Sequence, residues 1–323
     1  MNVTAPQFHE YCFCTIITRS HLGWALALCD SLRQWEAELP FVILVSDVAD
    51  AATLDAGGRK GVEFLLLEDM KRTALGSAIC TKYAEQSDEL RWSLKPVLML
   101  HLLQRARKVM YGDCDLHFFS TPDWLWKELD TATLLLSPHW RSATATVDRA
   151  NFDLLYVGGL YNGGFVAASR GGEPALEAWG GNCLEVCIKD FTQGQYVDQT
   201  HLNLLPVYFD GVRVLKHRGC NVANWNMVEC ARTIGPDGSV SINGVHPIVF
   251  IHFTRSMIDG IVSGVDGALM PHLRIFRDRL LAAGFAKDVI ADSEHRLAEK
   301  NKEPDTSVRA RLGRVVKRVT GGN

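Results

Sequence analysis

Two aspartates one residue apart, Asp113 and Asp115, interrupt an otherwise apolar and aromatic stretch, KVMYGDCDLHFFS. In an extended backbone, side chains at positions i and i+2 project to the same side. Two like charges held close together are costly unless a cation or a proton intervenes, and carboxylate oxygens are the ligands that Mg²⁺ and Mn²⁺ prefer. The pair therefore predicts a divalent-metal site directly after a strand. The alternative is a turn in which Asp113 caps and Asp115 faces water.

Two further polar segments could face such a site. In YNGGFVAAS, Asn162 and Gly163 precede a strand-like run, where glycine allows a ligand to approach the backbone closely and a tight turn is the alternative. In DQTHLN, Asp198 and Gln199 open a predicted helix, where capping is the competing role for the aspartate. Both segments are candidates for binding a polar ligand.

His252 directly follows Pro247–Ile251 (PIVFI), a predicted buried strand. A histidine in this position is usually packed or hydrogen-bonded in the core. As a neutral imidazole it could instead be a third metal ligand beside the two aspartates.

The elements that must position these residues alternate between strand and helix over the first 140 residues. Short apolar or β-branched runs predict strands at Tyr11–Thr18, Phe41–Ser46, Val62–Leu67, Lys108–Tyr111 and Leu134–Ser137. Helical spacing predicts helices at Gly23–Trp35 and Leu94–Leu103, the second with Pro96 in its first turn, where the missing N–H does no harm. The alternation predicts a mostly parallel α/β sheet covered on both faces, and such sheets bind ligands at the carboxyl ends of their strands.

The composition is that of an ordinary globular protein. The chain has 323 residues, of which 47% are hydrophobic and 22% charged, with a formal net charge of −3. These values exclude disorder, collagen-like repeats and a small disulfide scaffold, and they give no sign of a nucleic-acid binder. The length suggests one large α/β domain, with or without a smaller appendage. No apolar run approaches the roughly 20 residues that cross a bilayer, and the first residues lack the features of a secretion signal.

The nine cysteines are odd in number and scattered, which favours free thiols in a reducing cytoplasm. Two close pairs, Cys12 with Cys14 and Cys183 with Cys187, could each be half of a zinc site. Buried, inert thiols are the favoured interpretation of both pairs.

Residues 308–319 (VRARLGRVVKRV) hold five basic and no acidic side chains, with apolar residues at helical spacing. A basic amphipathic helix suits the surface of an anionic membrane, which would place the protein on the inner face of that membrane. The alternative is a solvated or disordered tail, and Gly313 weakens any helix there.

Taken together, DCD, YNGG, VDQTHLN and the strand ending before His252 resemble nucleotide-sugar glycosyltransferases of the GT-A fold. The resemblance is to the retaining family 8 enzymes and to related bacterial polysaccharide transferases, and it extends from about Cys12 to His252. It implies a Rossmann-like, mostly parallel sheet flanked by helices, with a C-terminal helical extension. The implied domains are a catalytic domain at 1–255 (a nucleotide-sugar half to about 120, then an acceptor half), a loop and helices at 256–298, and a basic or disordered tail at 299–323.

The resemblance also implies a role for each matching residue. Asp113, Asp115 and His252 would bind Mn²⁺ or Mg²⁺. Residues implied in binding the nucleotide sugar lie at the end of the first strand, in SLKP and in the two polar motifs: Thr15, Ile17, Thr18, Lys95, Asp113, Asn162 and Gly163. Asp198 and Gln199 match the pair beside the donor sugar and are the implied catalytic residues.

The chain departs from family 8 after the histidine. The family's pattern there, HxxGxxKPW, contains a lysine that grips the phosphates, whereas this chain has HFTRSMIDG. Arg255 or Lys95 would have to replace that lysine. Cys114, between the two aspartates, is expected to point away from the metal. The glycine-rich segment Ser256–Pro271 predicts a loop that closes over the donor.

The implied reaction moves a sugar from a nucleoside diphosphate, UDP by preference, to a glycan or lipid-linked oligosaccharide in bacterial lipopolysaccharide or capsule synthesis. A divalent cation would stabilise the departing diphosphate, and oxygens of Asp198 or Gln199 would stabilise the oxocarbenium-like sugar. Retention of configuration is favoured, because the sequence offers no clear carboxylate base for inversion. The alternatives are an inverting transferase, a non-catalytic carbohydrate-binding protein of the same fold, and a metal-dependent phosphohydrolase.

Overall fold

A seven-stranded sheet runs through the centre of this computed structural model, which describes residues 9–302. The strands of the chain are β1 His9–Ile17, β2 Phe41–Val45, β3 Val62–Leu66, β4 Ala106–Gly112, β5 Leu116–Phe118, β6 Leu134–Pro138, β7 Tyr161–Ser169, β8 Lys189–Asp190, β9 Gln195–Tyr196, β10 Val212–Val214, β11 Arg232–Ile234, β12 Val240–Ile242, β13 His246–Pro247 and β14 Phe250–His252. The basic segment at 308–319, with its predicted membrane contact, lies outside the described residues.

The central sheet has the strand order β10-β6-β7-β4-β1-β2-β3. Only β7 runs antiparallel to its neighbours in this sheet, β4 and β6, and the other adjacent pairs are parallel. Beside the sheet lie the antiparallel pair β5–β14, the hairpin β8–β9 and the small antiparallel sheet β11-β12-β13. The predicted α/β class, with a mostly parallel central sheet, is confirmed.

Helices cover both faces of the sheet. They are α1 Leu22–Arg33, α2 Leu67–Met70, α3 Ala74–Lys82, α4 Ser87–Leu103, α5 Asp123–Glu128, α6 Arg149–Val157, α7 Glu173–Glu185, α8 Leu205–Tyr208, α9 Arg255–Val262, α10 Met270–Ala282 and α11 Val289–Lys302. No helix in residues 9–302 is both long and apolar enough to cross a membrane.

Strand β1 shows why the sheet strands are almost continuously apolar. Cys12 and Cys14 face a core formed with α3, α4 and α7, whereas Phe13 and Ile17 face a second core formed with α1. Successive side chains of a strand point to opposite faces, so a strand covered on both sides needs apolar residues at every position.

The C-terminal helices α9, α10 and α11 form a third core with the start of α1. Phe276 of α10 stacks on Phe253 with ring centroids 4.3 Å apart and meets Trp24 of α1 edge-on at 5.3 Å. These aromatic contacts attach the C-terminal helices to the body of the molecule beside His252.

Two predictions of local structure were wrong. Helix α4 begins at Ser87, seven residues before the predicted start at Leu94, so Pro96 lies inside the helix and removes one of its backbone hydrogen bonds. The first turn of α4 is polar, with Asp88 and Glu89. The apolar spacing that predicted the helix therefore did not extend to it. The predicted closing loop at Ser256–Pro271 is largely helical, because α9 and the start of α10 bury their apolar side chains in the third core.

Candidate active site

The turn between β4 and β5 carries the paired aspartates. The Leu116 backbone N–H donates to the Asp113 carbonyl at 3.0 Å, and the Asp113 N–H donates to the Gly164 carbonyl at 2.9 Å. Asp113–Asp115 is therefore a turn rather than the extended segment that the spacing argument assumed. The turn does not separate the carboxylates, because each is held by its own partners.

His252 reaches this turn through the pairing of β14 with β5. His252 lies opposite Leu116 in the ladder, and the N–H of the next residue, Phe253, donates to the Asp115 carbonyl at 2.8 Å. The imidazole Nε2 is 3.0 Å from Asp115 Oδ1. Ligand atoms of Asp113, Asp115 and His252 all lie within 4.8 Å of one another. Two carboxylates and an imidazole are a donor set that suits Mn²⁺ or Mg²⁺.

The charges of this cluster are coupled. Burial alone would lower the pKa of His252, but Asp115 and Asp113 raise it above its ordinary value. Burial alone would raise the pKa of Asp115, but the His252 imidazole lowers it below its ordinary value. The carboxylates thus favour the protonated form of the imidazole, and a metal ion that uses His252 as a ligand would displace that proton.

Asn221 holds the other side of the imidazole and was not identified from the sequence. Its Oδ1 lies 3.3 Å from His252 Nδ1, and the residue is fully buried with a left-handed φ of 57°. An acceptor at Nδ1 leaves Nε2 free to face a metal. Its segment, GCNVANWN, contains no spacing of residue types that would single out this asparagine.

Lys95, on α4, lies between the predicted metal ligands and Asp198. Its Nζ is 3.2 Å from Asp113 Oδ1 and 3.3 Å from Asp198 Oδ2, and it donates to the Gly163 carbonyl at 3.0 Å. Burial alone would lower the pKa of Lys95, but the two carboxylates raise it, so the amine stays charged. Tyr111 donates to the same Asp113 oxygen at 2.6 Å.

Asp198 is 1% exposed and precedes the 3₁₀ helix Gln199–Leu204, but its side chain caps nothing. Its Oδ2 accepts no well-aligned hydrogen bond within the described part of the chain, so its contact with Lys95 is electrostatic. Burial raises the pKa of Asp198 although Lys95 acts in the opposite direction. The Trp179 indole donates to the Asp198 carbonyl at 2.9 Å, which anchors this segment to α7.

Gln199 is bound to backbone at both ends of its amide. Its Nε2 donates to the Gly158 carbonyl at 2.6 Å, and its Oε1 is 3.5 Å from the Gly163 N–H. The side chain thus connects the start of β7 to the segment of Asp198. Its predicted catalytic role stays a prediction.

The YNGG motif forms the start of β7 instead of preceding a strand. Asn162 Oδ1 accepts from the Gly164 N–H at 3.1 Å, and Asn162 Nδ2 lies 3.3 Å from His139 Nε2. A Cβ at Gly164 would lie 2.5 Å from His252 Cε1 and 3.0 Å from Asp113 Oδ2. Gly164, the second glycine of the motif, is therefore needed for His252 to lie close to the aspartates.

Two cavities meet at the aspartate turn. The first, called here the Trp24 cavity, measures about 620 Å³ and is bordered by Ile17, Thr18, His21, Trp24, Arg255 and Lys287. The second, the Asp198 cavity, measures about 500 Å³ and is bordered by His139, Arg141, Asn162, Lys189, Asp198 and Trp225. Trp92, Lys95, Asp113 and Asp115 line both. A ligand extending from one cavity into the other would pass directly over the metal-ligating cluster.

Thr15 and Gly163 do not line either cavity. Strand β1 continues to Ile17, so Thr15 is fully buried opposite Ile43 inside the ladder. Gly163 acts through its backbone, and a Cβ there would lie 2.6 Å from Asp198 Oδ2. The predicted ligand contact of these two residues stays a prediction, with Thr15 inside the ladder and Gly163 packed against Asp198.

The cysteines take no part in a metal cluster within residues 9–302. The cluster of Asp113, Asp115 and His252 contains no thiol, and all nine cysteines are free. Burial raises the pKa of Cys12 to about 12, and Cys114 packs against the core beside α1. The interpretation of the close cysteine pairs as packed thiols agrees with these surroundings.

No family model matches the chain. The uncharacterized protein YfnD of Bacillus subtilis (strain 168) is 30% identical over 251 residues, which is 75% of this chain and 76% of YfnD. The uncharacterized protein YfnF of the same strain is 26% identical over 257 residues, covering 77% of this chain and 82% of YfnF.

Among solved structures, the galactosyltransferase LgtC in complex with donor and acceptor sugar analogs superposes with a TM-score of 0.49 at 18% identity, covering 84% of this chain and 95% of LgtC. Mouse xyloside xylosyltransferase 1, in its apo form, gives a TM-score of 0.48 at 12% identity, covering 76% of this chain and 98% of the mouse protein.

Proposed function

The chain belongs to the same protein family as YfnD of Bacillus subtilis, and from its site we propose that it is a metal-dependent glycosyltransferase. It takes a sugar from a nucleoside diphosphate, UDP by preference, and transfers it to a glycan or lipid-linked oligosaccharide. The setting is the synthesis of a bacterial surface polysaccharide such as lipopolysaccharide or capsule.

One observation carries this proposal: ligand atoms of Asp113, Asp115 and His252 lie within 4.8 Å of one another where two cavities meet. The oxygen-rich donor set fits Mn²⁺ or Mg²⁺, and Gly164 keeps the space beside it free of side-chain atoms. A bound divalent ion would supply Lewis-acid stabilisation of the leaving diphosphate.

The side chains that line the two cavities suit the two halves of the donor, the nucleoside diphosphate and the sugar. The Trp24 cavity offers aromatic and apolar walls for a base, and Arg255 on its rim has no ion-pair partner within residues 9–302. Arg255 thus meets the requirement for a cation that replaces the missing family lysine. Lys95 is committed to Asp113 and Asp198, so its role is to hold these carboxylates in place.

The sugar would occupy the Asp198 cavity, beside the buried carboxylate. As the bond from the anomeric carbon to the diphosphate breaks, the oxygens of Asp198 stabilise the positive charge that develops on the sugar. With retention, the acceptor hydroxyl attacks from the same face, and its proton passes to the departing phosphate oxygen. The acceptor would approach from the open side of this cavity.

Release of UDP from a panel of UDP-sugars, with and without Mn²⁺, tests the proposal. We expect metal-dependent release with at least one sugar, reduced roughly 100-fold or more in Asp115→Asn, because a ligating carboxylate contributes several kcal/mol. Asp278→Asn, an exposed aspartate on α10 paired with Arg277, is the matched control. Tight Mn²⁺-dependent UDP binding that survives in Asp115→Asn would contradict the metal site. In the unmodified chain, tight Mn²⁺-dependent UDP binding without any release would favour the non-catalytic alternative.

A further inference from the structure

Two basic side chains that line the Asp198 cavity form no ion pair with its carboxylates. Asp198 is paired with Lys95, and Asp113 and Asp115 face the predicted metal position with His252. This leaves Arg141 and Lys189 on the remaining wall, and within residues 9–302 neither has a carboxylate within ion-pair distance. The lining of this cavity therefore includes two basic side chains that no acidic side chain of residues 9–302 neutralises.

Arg141 is the more constrained of the two. It is partly buried, and its Nη1 donates to Asn151 Oδ1 on α6 at 2.8 Å, while its buried Nε has no hydrogen-bond partner within the described part of the chain. Burial lowers the pKa of Arg141 below that of an ordinary arginine. A buried guanidinium without an acid is costly, so an anion bound here would gain a charge-assisted hydrogen bond at no cost to another contact.

Neighbouring groups supply further unpaired donors. The indole Nε1 of Trp225 is buried and without a hydrogen-bond partner inside residues 9–302, and the Trp225 carbonyl accepts from Asn151, which also orients Arg141. Lys189 Nζ lies over the Tyr196 ring, 5.4 Å from its centroid, and is otherwise exposed. The lining of this cavity thus includes an arginine Nε and an indole Nε1 that have no hydrogen-bond partner within residues 9–302, together with an exposed lysine.

The backbone that carries Arg141 is also specialised. Trp140, the preceding residue, has a left-handed φ of 51°, and its ring packs 4.3 Å from the guanidinium carbon of Arg218. A left-handed aromatic residue is unfavourable on its own and persists only where the surroundings hold it. Arg141 directly follows this left-handed residue and lines the cavity.

We infer that the Asp198 cavity binds a carboxylate or phosphate group carried by one of the two sugars that meet beside Asp198. This inference rests on the proposed function and specifies its substrate class. The anionic group belongs either to the donor sugar, as in a uronic acid, or to the acceptor, as in a phosphorylated or acidic glycan. Arg141, with Lys189 and the Trp225 indole, would bind it.

Calorimetry on the full chain distinguishes the two sources. In the donor arm, UDP-glucuronate is compared with UDP-glucose, both with Mn²⁺. In the acceptor arm, glucose 6-phosphate and glucuronate are compared with glucose, each titrated into protein saturated with Mn²⁺ and UDP. We expect the anionic probe to bind roughly tenfold more tightly or better in one arm, the size expected of a charge-assisted hydrogen bond, and that arm identifies the source.

Variants then test whether Arg141 and Lys189 are responsible. The preference should disappear in Arg141→Met, weaken in Lys189→Met, and persist in part in Arg141→Lys, while Arg107→Met, an exposed arginine on β4, should leave it unchanged. Lys189 is exposed, so its variant also covers the case in which Arg141→Met fails to fold. Equal binding of charged and neutral probes in both arms, or an anion preference that neither variant at 141 nor at 189 reduces, would overturn the inference. If the unmodified chain showed no Mn²⁺-dependent UDP binding, that result would instead count against the proposed function.

Discussion

Lys95 Nζ lies 3.3 Å from Asp198 Oδ2, and both side chains are buried. One is on helix α4 and the other at the start of a 3₁₀ helix, so their contact joins two layers of the fold across the site. Each of the two charges depends on the other, because removal of one side chain leaves the other charge buried, uncompensated and out of contact with water.

Lys95→Met should therefore destabilise the protein by about 3–5 kcal/mol, the usual cost of breaking a buried ion pair. Urea unfolding gives this value directly. The double variant Lys95→Met with Asp198→Asn should recover part of the loss, because it no longer buries the Asp198 charge alone. The loss of unfolding free energy in the double variant could instead exceed the sum of the losses in the two single variants. In that case the pairing would not be the source of the stability.

Asn221→Ala should weaken Mn²⁺ binding by roughly 10- to 100-fold, the range seen when a residue that orients a ligating histidine is removed. The free imidazole could then rotate and lose its alignment with Asp115. Isothermal titration with Mn²⁺ in the presence of UDP measures the change.

Asn221→Gly is the matched variant for this experiment. Glycine tolerates the left-handed φ of 57° that this position requires, so the backbone is not strained while the contact with His252 is still lost. Both variants should lose metal affinity, but the glycine variant should keep more stability than the alanine variant. Unchanged Mn²⁺ affinity in both would rule out the positioning role of Asn221.

Gly164→Ala should abolish or strongly reduce metal-dependent UDP binding. The added Cβ would lie 2.5 Å from His252 Cε1 and 2.7 Å from Asn162 Oδ1, which forces the imidazole away from the aspartates. Gly181→Ala is the control, because a Cβ there meets nothing within 4 Å on helix α7. That variant should be more stable by about 0.5–1 kcal/mol and should bind UDP normally, and normal UDP binding by Gly164→Ala would contradict the close packing of the cluster.

Two buried neutral histidines should make stability depend on pH. Burial lowers the pKa of His117 and of His139 to about 3. Between this value and the unfolded pKa of about 6.5, the unfolded chain binds protons that the folded chain does not. Their contribution to stability is therefore complete above pH of about 6.5 and is lost as the pH falls toward 3, by up to about 1.4 kcal/mol per pH unit for each histidine.

His117→Phe should remove one of these contributions, because His117 already packs against Phe119 and Phe276. Urea unfolding at a series of pH values between 4 and 7 should show a shallower pH dependence for this variant. His295→Gln, at an exposed histidine of α11, should leave the slope unchanged. An unaltered slope in His117→Phe would show that His117 does not titrate as inferred.

Much of the site could be predicted because its motifs lie at or close to the ends of strands. Asp113 and Asp115 were found as charges in an apolar run, and that signal holds whether the backbone is extended or turned. His252 was found from the strand before it. Asn221 could not be found in this way, since its role depends on a left-handed backbone and on an imidazole that is distant in sequence.

The errors have a common physical origin in tertiary packing. The polar first turn of α4 has no apolar periodicity, so the helix start at Ser87 was missed. The glycine-rich stretch after Arg255 is helical because its few apolar side chains enter a core made with α1. Arg141 had no motif around it, and its place in the lining of a cavity is set by the tertiary fold.

The stacking of Phe253 on Phe276 gives the last helices an influence on the chemistry. Phe253 adjoins His252 in the chain, and Phe276 lies on α10, so a displacement of that helix would pull on the imidazole through one pair of rings. A truncation or fusion that disturbs α10 would then appear in assays as poor metal retention, even though the altered residues never touch the ion.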